Sequence, residues 1–181
     1  MIDRSEVHFA DTVMMFAHYP FRAASVISDP TLHTSQIRDV DPTSCPPEIR
    51  TVDGETLFVA KADEPLLAEF AERNGIPVVH RPDVWPRLLE PFLDTEWTGD
   101  SQRSARELLL DVGIEPGEAR AVRLRVWRIM RAFNAIMWDE WNLSLYDLLL
   151  ASTWFPTRIR RKHRPEFYNW AMELADRPTS R

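Results

Sequence analysis

The stretch EIRTVDGETLFVAK, residues 48–61, decides how the first part of this chain is read. Two runs of alternating apolar and polar residues flank Asp53-Gly54, the pair favoured in the type I′ turn of a β-hairpin. Ile49, Val52, Leu57 and Val59 are available for its buried face.

Working outward toward the N-terminus, QIRDV (36–40) and AASVIS (23–28) are strand candidates. The loops DPTLHTS and DPTSCPP, rich in proline, serine, threonine and aspartate, follow AASVIS and QIRDV. Toward the C-terminus, DEPLLAEFAERNG (63–75) predicts a helix. Asp63 is its N-cap, Glu64 and Pro65 occupy the first turn, and Leu66, Leu67, Phe70 and Ala71 share one face. Gly75 stops it. IPVVH (76–80) then predicts a returning strand. Several strands and one helix in residues 1–82 make a small antiparallel sheet covered by that helix.

After Pro82 the pattern turns helical. In DVWPRLLEPFLDTEW (83–97), Trp85, Leu88, Leu89, Phe92 and Leu93 keep helical spacing. Pro86 fits a first turn, and Pro91 interrupts. SARELLLDVG (104–113) opens with the capping box Ser104-x-x-Glu107 and closes on Gly113. A long helix is predicted from Pro116 to about Trp138, with Val122, Val126, Ile129, Phe133 and Ile136 as its apolar seam. Ser144-x-x-Asp147 is a second capping box, so a helix starts near Leu145, and Pro156 ends it. RPEFYNWAMELADR (164–177) supplies the last helix, with Phe167, Trp170, Ala171 and Leu174 inward. The expected fold class is α+β. A small N-terminal antiparallel sheet with one covering helix (1–82) packs on a C-terminal helical bundle (83–181), in one continuous globular unit.

Composition bounds the function. The 181 residues are 44% hydrophobic and 28% charged, which is globular. Only 5 glycines argue against a glycine-rich phosphate loop. Cys45 is the one cysteine, so no internal disulfide forms and a reducing compartment is expected. The acids Asp3, Glu6 and Asp11 stand where a signal peptide needs basic and apolar residues. No run approaches the roughly 20 apolar residues that span a bilayer. The reading is a soluble cytoplasmic protein with no membrane partner. Charge is uneven: residues 1–118 carry 22 acids against 10 bases, a net of −12, while residues 119–181 carry 6 against 12, a net of +6. Either the late part is a basic binding surface, or the two parts neutralise each other.

No motif assigns a reaction. HExxH, GxSxG and GxxxxGK[ST] are absent, and His8, His18, His33, His80 and His163 lack ligand spacing, so neither metal nor cofactor is called for. In MWDEW (137–141), Asp139 and Glu140 lie between Trp138 and Trp141. Neighbouring helical residues point about 100° apart. A carboxylate site would therefore need Asp94 or Glu96 as well, and a corner between helices accounts for these acids without one. On the long helix, Arg120, Arg128 and Arg131 lie away from the seam, Arg123 sits near its edge, and Trp127 and Trp138 share their side. RIRRKHR (158–164) gathers Arg158, Arg160, Arg161, Lys162 and Arg164 with His163. Such residues suit a polyanion. They also suit pairing with the acidic first part, or a position after a helix C-terminus. ARELLLDVGIEPGEARAVRLRVWRI (105–129) has a helix-turn-helix outline, with Gly113 and Val122 in place. Leu109 stands where a small residue is preferred, and the second helix is too long.

Three functions follow. The first is a non-catalytic interaction or regulatory module, binding a protein partner or itself through Trp127, Trp138, Trp141, Trp154 and the arginines. The second is nucleic-acid binding by the basic C-terminal third. The third is an enzyme with a carboxylate site.

Overall fold

The computed structural model describes residues 6–81, 83–92, 99–137, 143–154 and 158–177, with the side chains of 99–101, 134, 136 and 137 set aside. The fold is α+β, with two antiparallel sheets and six α-helices among the described residues. The chain forms two compact units. One comprises Met1–Pro82 with Pro165–Asp176, the other Asp83–Arg164 with Arg177–Arg181.

In the first unit, β1 (Glu6–Phe9), β2 (Val13–His18) and β3 (Thr31–His33) make one three-stranded sheet in that order. β4 (Ile37–Asp41), β5 (Glu48–Thr51) and β6 (Thr56–Phe58) make the other. The strands thus divide between two sheets, and β3 occupies the DPTLHTS segment read as loop. AASVIS is not a strand: Ser25–Ile27 is a single turn of 3₁₀ helix.

The hairpin of residues 48–58 is present, with Ile49 opposite Leu57 and both fully buried. Its turn differs from the two-residue type. The Gly54 N–H donates to the Thr51 carbonyl at 3.1 Å and the Thr51 N–H to that of Glu55 at 2.9 Å. This closes a three-residue loop, Val52-Asp53-Gly54, with Gly54 at φ 84° in the left-handed position that suits glycine. Val52 falls in the loop and is exposed, which removes it from the expected buried face.

α1 (Glu64–Asn74) buries Leu67, Phe70 and Ala71 completely and leaves Leu66 exposed. It covers the first sheet, where the Phe9 and Phe70 rings meet edge to face at 5.8 Å. It ends in a Schellman motif: the Ile76 N–H donates to the Ala71 carbonyl at 2.9 Å, the Gly75 N–H to that of Glu72 at 3.2 Å, and Gly75 is left-handed. IPVVH is not a strand. It forms one parallel bridge, Val40 with Val78, and leaves Val78 and Val79 exposed. Tyr19, Phe21 and Phe58 continue the aromatic core, with centroids 5.7 and 6.2 Å apart.

α6 (Arg164–Ala175) belongs to this unit from Pro165 onward, although sequence order places it in the helical run. It buries Phe167, Tyr168, Ala171, Met172 and Leu174. The Tyr168 hydroxyl donates to Glu55 at 2.8 Å, and Asp176 accepts from Arg38 at 2.5 Å and from Arg81 at 3.3 Å.

The second unit is helical. α2 (Val84–Leu89) fully buries Trp85, Leu88 and Leu89. Each such burial is worth roughly 1.5–3 kcal/mol relative to exposure. α3 (Gly99–Asp111) begins before Ser104, so the Ser104-x-x-Glu107 pattern lies inside a helix and caps nothing. A second Schellman motif closes it, from the Ile114 N–H to the Leu109 carbonyl at 2.8 Å and from the Gly113 N–H to that of Leu110 at 2.9 Å. α4 (Pro116–Met137) buries Ala119, Val122, Val126, Ile129, Met130 and Phe133, four of the five predicted seam residues with two additions, while the side chain of the fifth, Ile136, lies outside the described residues. α5 (Leu145–Thr153) starts at the predicted capping box. Ser144 and Asp147 bond reciprocally, at 2.8 Å from the Ser144 N–H and 3.4 Å from the Asp147 N–H. Asp83 caps two helices, accepting from the Trp85 N–H at 2.9 Å and the Leu145 N–H at 3.5 Å. Its burial pushes the carboxyl pKa up to about 6.

Candidate interaction surface of the helical unit

The outer side of α4 is built by the same periodicity that builds its core. With Val122, Val126, Ile129 and Phe133 turned inward, Arg120, Leu124, Trp127 and Arg131 follow one another along the outside at spacings of three or four. Arg128 flanks them. Leu124 is 66% exposed and Trp127 46% exposed. The Arg131 guanidinium lies over the Trp127 ring, 5.2 Å from its centroid. One acid stands on α4, Glu118, and it is engaged by Arg177 in a forked pair at 2.9 and 2.5 Å. That pairing holds the Glu118 carboxyl below its usual range. The outer stripe is therefore apolar at its centre and positive at its edges.

The sequence-level candidates separate on this geometry. Arg120 and Arg128 are exposed and form no ion pair among the described residues. Arg131 is exposed and spent on the Trp127 ring. Arg123 is half-buried: its Nε donates to the Leu88 carbonyl at 3.1 Å and an Nη to that of Arg87 at 3.2 Å. Burial lowers its pKa, against the opposing charge of Glu90. It pins the end of α2 rather than facing outward. Trp154 is partly exposed and meets Phe133 edge to face at 6.0 Å. Trp138, Trp141, Asp94, Glu96, Asp139 and Glu140 lie outside the described residues.

Arg158, Arg160, Arg161 and Lys162 are exposed, without an ion pair among the described residues. Arg164 is half-buried and donates to the Ile159 carbonyl at 3.0 Å. The cluster was expected to trail a helix C-terminus. It does follow the end of α5, with the Ile159 N–H donating to the Ser152 carbonyl at 2.8 Å, and Arg161–His163 also form a 3₁₀ turn leading directly into α6. Cations there crowd the positive end of a helix, which disfavours them and favours an anion.

Sequence reasoning missed a charged network in the sheet-bearing unit. Asp39 and Arg50 face each other across β4 and β5, both buried and directly bonded. Arg50 also donates to the Val79 carbonyl. Asp41, 1% exposed, accepts from the Thr43 hydroxyl at 2.8 Å and lies 2.7 Å from the His80 Nδ1. The only signal was charge alternating with apolar residues in RDVD and EIRT, and it resembles an exposed face. A carboxylate orienting an imidazole is half of a nucleophile-activating device. The Thr43 and Ser44 hydroxyls beside it are already bonded to Asp41 and Pro46. Among the described residues no three His, Cys, Asp or Glu side chains gather as metal ligands, and no helix is long and apolar enough to cross a membrane. No family model, curated protein or solved structure matches the chain.

Proposed function

We propose that this protein is a non-catalytic cytoplasmic interaction module whose helical unit docks an acidic protein segment on the outer face of α4. The observation that carries the reading is the exposure of Leu124 and Trp127 in one stripe with Arg120, Arg128 and Arg131. Single exposed apolar residues are ordinary. A leucine and a tryptophan one turn apart, bordered by guanidinium groups, have the composition of an interface hot spot. The partner's chemistry follows: an apolar anchor for the Leu124–Trp127 surface, flanked by carboxylates for the arginines. The lone, exposed Cys45 accords with a reducing compartment.

The test is selection of random peptides on the full chain and on Trp127→Ala. The wild type should enrich acidic peptides bearing an aromatic or aliphatic anchor. Trp127→Ala should bind them about 30-fold more weakly, the loss of a hot spot worth about 2 kcal/mol. Enrichment of neutral or basic peptides, or affinity unchanged by the substitution, would sink the reading.

A second reading rests on the exposed run Arg158, Arg160, Arg161 and Lys162 ahead of α6. If these bind nucleic acid, four neutralised phosphates give a log–log salt slope near −3.6, roughly, on duplex DNA. Oligonucleotide titration at two ionic strengths decides it, and absence of binding at low salt ends it.

A further inference from the structure

The two sheets have four edges, and the chain closes three of them with its own groups. At β3 the outward N–H groups of Thr31 and His33 donate to the Asp29 carboxylate at 3.1 Å and the Gln36 side chain at 2.8 Å. At β6 those of Thr56 and Phe58 donate to the Met172 sulfur at 3.3 Å and the Tyr19 hydroxyl at 3.0 Å. At β4 the Val40 N–H donates to the Pro77 carbonyl and the Val40 carbonyl accepts from the Val79 N–H, both at 2.9 Å. Such covering keeps an edge strand from pairing with another chain.

β1 is the exception. The Phe16 N–H donates to the Pro30 carbonyl and the Ala10 N–H to that of Val13, which fixes the alternation along β2. Met14 and Phe16 turn their backbone groups toward β3, and Val13 and Met15 turn theirs toward β1. His8, opposite Met15, is therefore the residue that bonds β2, and Val7 and Phe9 turn their N–H and C=O groups outward. Neither has a hydrogen bond on that side among the described residues. The Val7 side chain is buried and the Phe9 ring packs on Phe70, while Glu6 and His8 are exposed.

The strand complements itself. Laid antiparallel on its own copy about His8, it sets Val7 opposite Phe9 on both sides of the axis, and each such pair exchanges N–H···O=C bonds in both directions. Every outward group of Val7 and Phe9 is then used. Facing residues share a face of the joined sheet, so Val7 and Phe9 stay with the apolar side chains and Glu6 and His8 with water. The same register puts Glu6, which has no ion pair among the described residues, opposite Ala10 of the second copy. Arg73 holds the Ala10 carbonyl at 3.2 Å, and its ion pair with Glu69 is long, at 3.8 Å. An exposed carboxylate thus comes to the end of the strand where an exposed guanidinium stands. An unrelated extended peptide would match the backbone without supplying that charge.

We propose that β1 is a homodimer edge, pairing antiparallel with β1 of a second copy about a two-fold axis at His8. Sedimentation equilibrium of the full chain tests it, and monomer and dimer should exchange with a Kd below about 100 µM. His8→Lys, an exposed change that sets two ammonium groups face to face, should weaken the dimer about fivefold. Cys45 is the one native cysteine, so cross-linking is read in a Cys45→Ser background. There His8→Cys should cross-link the dimer on oxidation, because the facing Cα atoms are about 4.5 Å apart. Glu6→Cys should not, since its two copies are about 13 Å apart. Hydrogen exchange at the Val7 and Phe9 amides should slow as protein concentration rises. Leu124→Ala and Arg128→Ala should leave the dimer unchanged, so this edge and the α4 stripe fail separately. A chain still monomeric at about 1 mM overturns the proposal, even where an added strand peptide binds. So does indifference to His8→Lys, equal cross-linking through Glu6→Cys, or protection of both amides in the dilute monomer.

Discussion

In the sheet-bearing unit Arg50 is 4% exposed and bonded to Asp39, and Arg38 and Arg81 converge on Asp176. In the helical unit Arg120, Arg128, Arg158, Arg160 and Arg161 stand in water without an ion pair among the described residues. One residue type thus does two kinds of work. Inside the first unit the Arg50 guanidinium is a packing element: its removal from water is offset by Asp39, Glu48 and the Val79 carbonyl, so it specifies one arrangement of strands. At those five exposed positions of the second unit the same group adds almost nothing to stability, whereas Arg123 and Arg177 of that unit hold the end of α2 and Glu118. The difference separates what holds this molecule together from what it offers to others.

The comparison breaks most readily at Asp39. Asp39→Ala leaves the buried Arg50 with the longer Glu48 contact at 3.4 Å as its remaining ion pair, and urea unfolding should show a loss of about 3 kcal/mol. Unfolding free energy within about 0.5 kcal/mol of wild type would mean that the pair is dispensable. Next in size is Gly54→Ala. A Cβ there meets the Asp176 carboxylate at 2.8 Å, at a φ of 84°. The cost is about 1–2 kcal/mol for the left-handed conformation, with the Arg38–Asp176 contact disturbed as well. Ser144→Ala removes a reciprocal cap and costs about 1 kcal/mol, readable in the thermal midpoint.

Asp83 sharpens the contrast through pH. Its folded pKa of about 6 lies above the ordinary 3.8, so the folded chain holds this proton more tightly than the unfolded one. The stabilisation from the protonated form is complete below the lower value and is lost as pH rises through the upper one. Unfolding free energy should fall between these limits, and Asp83→Asn should remove that slope. An unchanged slope would place the titration elsewhere. The smallest effect belongs to the outer face: Arg120→Ala and Arg128→Ala should each shift stability by less than about 0.5 kcal/mol.

How far the sequence could be read follows from the range of each signal. Ser144 and Asp147 are three residues apart and bond to each other, so their pattern carries the whole interaction. The same pattern at Ser104 and Glu107 is a coincidence within α3, because nothing local says that the helix already began at Gly99. Asp53-Gly54 located the hairpin, but the loop length depended on whether Val52 paired, and its register is set by Ile49 against Leu57. IPVVH has strand composition, yet composition describes fitness for a half-buried pleated surface rather than a partner. Val40 alone bridges to it, donating to the Pro77 carbonyl and accepting from the Val79 N–H, both at 2.9 Å. The α4 stripe was half legible. Periodicity put Arg120, Arg128 and Arg131 outside the seam, whereas the inward hold on Arg123 required carbonyls 35 and 36 residues away.

Because α6 closes on strands made at the other end of the chain, the order of synthesis matters. A ribosome delivers residues 1–82 before the helical segment, and only afterwards residues 165–176. At roughly 5–20 residues per second, several seconds separate the two deliveries. During that interval Glu55 waits for the Tyr168 hydroxyl, and Arg38 and Arg81 for the Asp176 carboxylate. The sheets are thus born before their lid, and the unit begun first cannot close until the whole helical segment between its two pieces has been made.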